Sequence, residues 1–272
     1  MSVPVRLRVD DTEVAQYVTE PDVDPRHGPR PYLHPVRTAA GVPVTDVLPE
    51  DHRWHLGVSV ALQDVNGTNL WGGRTYVRDR GYTWRSDHGR IVHAGWTAPV
   101  RDDGFAERLE WQDPDGGLLL TEDRTVTARP AAHGWELGFG YTLTAARDAT
   151  LGSPATNGRP GGAGYGGFFW RAAPGECTTF TAAHDGEEKV NGSAEPWLAL
   201  TGSALIGTGA YTLVFRGLAG DDRWFVRTGI YPGVCAALAF TDPVRLAAGE
   251  SLTRRLSVLV ADGVLTRDDI AG

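Results

Sequence analysis

The sequence predicts an all-β chain folded as one antiparallel β-supersandwich, on three observations. Period-2 alternation of apolar and polar residues runs through most of the chain. Turn signals such as Asn66-Gly67, Asp115-Gly116-Gly117, Asn191-Gly192 and Asp262-Gly263 punctuate it. No stretch keeps a long 3.6-residue apolar period with helix caps. More than a dozen short strands with almost no helix leave a sandwich or a barrel. With 272 residues the chain can bury a core without staples. No repeat or dividing linker interrupts it, so residues 1–272 are expected to form a single domain.

The elements follow in order. "SVPVRLRV" places Val3, Val5, Leu7 and Val9 on one face, with Arg6 and Arg8 opposite. "RPYLHPVRT" carries His34. "PEDHRWHLGVSVAL" (49–62) opens polar and then alternates, with Leu56, Val58, Val60 and Leu62 on one face and His55, Gly57, Ser59 and Ala61 on the other. "RTYVRD", "YTWRS", "RIVHAGW", "AERLEWQ", "LLLTEDRTVTA" and "WELGFGYTLTA" read as further strands, His93 and Glu122 lying mid-strand. The glycine-rich stretch 152–167 runs into "FFWR" and reads as a long functional loop entering a strand. "HDGEEKVNG" (184–192) reads as a solvated hairpin tip. "YTLVFRG", "WFVRTG", "GVCAALAF" and "LTRRLSVLVAD" complete the strands.

Composition excludes several functions. A net charge of −8 without a basic stripe argues against a nucleic-acid partner. Lys189 is the only lysine, so a P-loop is ruled out and a Schiff base is a poor fit. No apolar signal region and no long apolar span are visible, so no membrane partner is expected, and the expected location is cytoplasmic. Two cysteines, Cys177 and Cys235, make no disulfide framework. Nothing in the sequence speaks to the oligomeric state.

Gly162, Gly164 and Gly167 spell GxGxxG. That dinucleotide fingerprint needs a helix N-terminus after it to meet a pyrophosphate, and aromatic β-formers follow instead. Tyr165 and Arg171 then offer a ring and a fork-shaped cation suited to sugar faces, hydroxyls or a carboxylate. His52 and His55 stand three apart in a chain of eight histidines. They suit an acid/base pair or substrate hydrogen bonding. With His34 and Asp51 or Glu50 they would also suit a divalent metal, but specific motifs such as HExxH are absent, so no metal or other cofactor is assigned. Glu122 lies either on a wet face or in a site lining a sheet. No GxSxG elbow supports acyl transfer.

"RPYLHPVRTAAGVPVT", "PEDHRWHLGV", "DVNGTNLWG", "LLLTEDRTV", "GYGGFFWR" and "LAAGESLTRRLSVLVADG", taken in order over roughly residues 30–265, resemble the PmoA-like family of bacterial proteins. That family resembles galactose-mutarotase-like supersandwich proteins, and its members are associated with sugar catabolism. The resemblance implies a carbohydrate-related role, with His34, His52, His55, Glu122, Tyr165 and Arg171 at matching polar positions. The family's methane-oxygenase label is not implied, since that subunit spans a membrane. "DHRWHLG" stands where relatives carry a more histidine-rich "DHPHHKG", which argues against a metal.

The expected function is proton transfer on a sugar or oxidised sugar, of epimerase, mutarotase or lyase type. His52 or His55 is expected as acid and Glu122 as base. His34, Trp71, His93, Tyr165 and Arg171 are expected to contact the substrate. A non-catalytic sugar-binding module or partner subunit, and a divalent-metal hydrolase, are the alternatives.

Overall fold

The computed structural model describes residues 4–203 and 209–271. Its strands are β1 (Val5–Val9), β2 (Thr12–Val18), β3 (Tyr32–Val36), β4 (Val58–Ala61), β5 (Asp64–Val65), β6 (Thr75–Val77) and β7 (Gly81–Thr83). There follow β8 (Arg90–Trp96), β9 (Gly104–Gln112), β10 (Leu118–Ala131), β11 (Gly134–Ala145), β12 (Ala149–Gly152), β13 (Gly167–Arg171) and β14 (Cys177–Thr181). A short helix α1 (Glu187–Val190) precedes β15 (Trp197–Ser203), β16 (Ala210–Arg216), β17 (Arg223–Arg227), β18 (Gly233–Ala237), β19 (Val244–Leu246), β20 (Ser251–Asp262) and α2 (Arg267–Ala271). The named alternating runs all contain strands, except that Val3 lies outside the described residues. The segment expected as a hairpin tip is instead the turn of α1. Val190 is buried there, which a solvated tip does not require.

Two large antiparallel sheets make the sandwich. One has the order β1-β2-β3-β4-β13-β18-β17, and the other β14-β15-β16-β20-β11-β10-β9-β8. Between them lies one continuous apolar cluster, to which Val58, Val60, Phe168, Trp170, Trp224 and Leu137 contribute. No helix among the described residues is long and apolar enough to cross a membrane.

Alternation decides what happens on the far side of the seven-stranded sheet. Val58 and Val60 on β4, Phe168 and Trp170 on β13, and Val234 and Ala236 on β18 face the core. The intervening Ala61, Phe169, Cys235 and Ala237 join a second apolar cluster with Trp71, Tyr165 and Phe225. Both faces of these strands are therefore covered, and all of β4, β13 and β18 is buried. The second layer is built from loops, and the site lies in it.

Candidate functional site

Residues 49–55 fold into two successive turns. The His52 N–H donates to the Pro49 carbonyl (3.0 Å), the His55 N–H to the His52 carbonyl (2.9 Å), and the Leu48 N–H closes the loop on the His55 carbonyl (2.9 Å). This winding brings the two rings over one another, with centroids 4.7 Å apart and planes 26° apart. Tyr231, in the turn after β17, packs against both, at 4.8 and 4.7 Å. Gly57 lets the chain leave the loop. Its φ is +44°, and a Cβ there would stand 2.1 Å from the Leu33 carbonyl oxygen.

Arg30 holds the other wall. It is fully buried, and its guanidinium donates to the carbonyls of Gly28 (2.9 Å), Trp71 (3.0 Å) and Trp54 (3.0 Å) while Nε reaches Ser59 Oγ (3.0 Å). Two tryptophan backbones are thus fastened by one cation. Burial pushes its pKa down to about 9, which leaves it charged at neutral pH. Nothing in the local sequence announces this arginine, because apart from Gly28 its partners, Trp54, Ser59 and Trp71, lie 24 to 41 residues along the chain.

These elements enclose a cavity of about 470 Å³, within the range of small-molecule sites. Of the residues expected at a site, His52, His55, Trp71 and Tyr165 line it. Trp54, Arg74, Tyr82, Arg159, Arg227 and Tyr231 also line it, and sequence reasoning missed them. The glycine-rich loop forms part of the wall, contributing Arg159 and Tyr165, and leads into β13 rather than a helix.

At the polar end, His52 Nδ1 and Asp51 Oδ2 are 2.8 Å apart. Partial burial works to raise the Asp51 pKa, but the hydrogen bond and charge of His52 and the charge of Arg171 bring it below the usual value. His55 is 1% exposed. Burial first, then His52, Arg171 and Arg30, hold its pKa well below that of an ordinary histidine. Arg171 Nη1 lies 3.4 Å from His55 Nδ1. A guanidinium only donates, so Nδ1 accepts and the imidazole proton sits on Nε2.

A pH dependence follows. The unfolded chain protonates His55 near pH 6.5 and the folded one does not. Its contribution is complete above that pH and is lost as the pH falls from about 6.5 toward the depressed folded value, by up to about 1.4 kcal/mol per pH unit. His55→Gln is expected to remove this slope between pH 6.5 and 5 in denaturant titrations. His34, held low by burial, gives a slope of the same sign in both proteins. Parallel wild-type and variant curves would show that His55 is not buried neutral.

Four expected site residues do not line the cavity. His34 Nδ1 bonds Thr45 Oγ1 at 3.0 Å beside the second layer. Arg171 is 4% exposed and sits behind His55 and Tyr231, reaching Asp46 at 3.5 Å. It positions the His55 ring rather than facing the cavity. Glu122 and His93 lie in a different place altogether. Glu122 points into the core between the sheets, where its carboxylate accepts from Arg124 Nε (2.7 Å) and Trp111 Nε1 (2.9 Å). His93 Nδ1 lies 2.6 Å from Glu107 Oε2, at the margin of the same buried network. Among the described residues, no group of three or more histidine, cysteine, aspartate or glutamate side chains is arranged to hold a metal ion.

A family described as one of unknown function, DUF6807, matches residues 4–272, and the chain belongs to it. The match does not extend to the PmoA-like name. No curated protein matches. Among solved structures, a galactose mutarotase related enzyme from Lactobacillus acidophilus is similar at 9% identity and a TM-score of 0.41, covering 97% of this chain and 100% of that one. An α-galactosidase from Lactobacillus brevis is similar at 10% identity and a TM-score of 0.38. The match covers 84% of this chain and 34% of the α-galactosidase, so the chain spans about a third of that protein.

Proposed function

We propose that this member of the DUF6807 family binds a single sugar ring, plain or oxidised, in the cavity between Trp71 and His52, and that His52 moves a proton on it. The observation that carries the reading is an aromatic-walled cavity of about 470 Å³ with the Asp51–His52 pair on its lining. A sugar presents C–H faces that pack on rings and hydroxyl edges that need donors and acceptors. Trp54, Trp71, Tyr82 and Tyr231 supply rings, while His52 and the arginines supply polar contacts. Asp51, 2.8 Å from His52 Nδ1, fixes the orientation of the His52 ring, a role a carboxylate plays beside a general base. His55, neutral and held by Arg171, suits a fixed hydrogen-bond donor better than a proton acceptor.

Glycoside hydrolysis by paired carboxylates fits poorly. Asp51 is the one carboxylate on the cavity lining among the described residues, and the mechanism needs two. The same observation favours a second reading, a binding module without catalysis. Both cysteines are free, which fits the reducing cytoplasm we propose as its location.

Ligand-observed NMR against a panel of neutral, oxidised and acidic monosaccharides, with and without divalent metal, tests the reading. Saturable binding of a monosaccharide without metal is expected. Binding that appears only with metal, or only to a non-sugar, would contradict it.

A further inference from the structure

We propose that the end of the cavity formed by Arg74, Tyr82 and Arg159 binds an anionic oxygen group on the sugar, so that the ligand is an acidic sugar. The inference rests on the sugar reading above and names its substrate class.

The charge of the lining is the first observation. Three arginines, Arg74, Arg159 and Arg227, stand against a single carboxylate, Asp51, in a protein whose net charge is −8. Arg227 is partly spent, with Glu187 3.6 Å away and the Gly162 carbonyl at 3.2 Å. Arg74 and Arg159 have no ion pair or side-chain hydrogen bond among the described residues. Their contacts are with rings, Arg74 over Trp84 at 6.0 Å and Arg159 over Tyr82 at 4.9 Å. Two guanidiniums without a protein partner for their forks among the described residues, at a concave site, suit a carboxylate or a phosphate.

Hydrogen-bond direction is the second observation, and it is independent of charge. Gln63 is fixed at both ends of its amide, accepting from the Tyr76 N–H at 3.2 Å and donating to the Arg74 carbonyl at 3.3 Å. Its Nε2 therefore donates to the Tyr165 hydroxyl, at 2.8 Å. Among the described residues Tyr82 is the one acceptor within hydrogen-bond reach of the buried Tyr165 hydroxyl, so the Tyr165 proton goes to the Tyr82 oxygen, 2.9 Å away. That leaves the Tyr82 O–H free to donate into the cavity that Tyr82 lines. Burial raises the pKa of both phenols, so both protons stay in place. Arg74, Tyr82 and Arg159 thus offer donors to an acceptor-rich group, while the one carboxylate on the lining among the described residues, Asp51, is paired with His52.

Isothermal calorimetry on the intact chain tests the proposal with glucose, galactose, glucuronate, galacturonate, glucose 6-phosphate, acetate and inorganic phosphate. At least one acidic sugar is expected to bind tenfold or more tighter than its neutral parent, given the usual strength of charge-assisted bonds. The uronate and phosphate arms show which anion is the natural one. The preference is expected to shrink by about tenfold in Arg159→Gln and Arg74→Gln, and less in Tyr82→Phe. Arg74 is exposed and Arg159 half-buried, so unchanged melting temperatures are expected to accompany these losses. A neutral sugar binding as tightly as its acid overturns this proposal and leaves the sugar reading standing. Acetate or phosphate binding as tightly as any acidic sugar keeps the anion site and overturns the sugar reading. No binding by any probe overturns both.

Discussion

Glu122→Ala is expected to destabilise the fold by about 3–5 kcal/mol, the cost of stripping one partner from a buried ion pair. Glu122 and Arg124 are essentially inaccessible to solvent. Arg124 Nη1 also donates to the Tyr17 hydroxyl at 2.8 Å, Tyr17 in turn donates to Glu107, and Arg124 lies 3.8 Å from Glu107. Without Glu122 the guanidinium loses its shortest ion pair, the Trp111 indole N–H loses its acceptor, and Arg124 Nη2 already lacks a partner. The expected drop in melting temperature is on the order of 10 °C. Ligand affinity below the transition is expected to stay unchanged, because Glu122 does not line the cavity. A stable Glu122→Ala protein without activity would instead return Glu122 to the role of base.

His52→Gln is expected to lower the rate of proton transfer by about 10²–10⁴-fold, the usual contribution of a general acid or base. The reaction to follow is anomeric exchange of a reducing acidic sugar, or exchange of deuterium into the carbon beside a carbonyl, both visible by NMR. Affinity is expected to change far less than rate, since Trp71, Tyr82 and the arginines still hold the ring. Asp51→Asn is expected to move the rate in the same direction by a smaller factor, through loss of His52 orientation. If wild type and His52→Gln show the same exchange as buffer while both bind sugar, the protein is a binding module.

The strands were legible because alternation is a local signal, and β4 shows both its reach and its limit. Val58 and Val60 face the core as their spacing requires. The opposite face carries the small residues Ser59 and Ala61, and it is buried under a loop layer that no local pattern encodes. The His52–His55 pairing was visible as a spacing, whereas its partner Tyr231 comes from nearly 180 residues later in the chain. Glu122 was misplaced although a signal existed. It shares strand parity with Leu120, Val126 and Ala128, all buried, so an inward Glu122–Arg124 pair was the consistent reading. Arg74, Tyr82 and Arg159 gave no signal at all, because a hairpin and a glycine-rich loop bring them together only in the folded chain.

The most direct measurement is the response of the histidine imidazole signals to a saturating acidic sugar, with His52→Gln and His55→Gln used for assignment. Saturable shifts of His52 and His55 that follow the calorimetric binding curve are expected, with His133 and His184, which do not line the cavity, unmoved. Saturable sugar binding that leaves His52 and His55 unshifted would place the ligand elsewhere on the protein and contradict the assignment of this cavity.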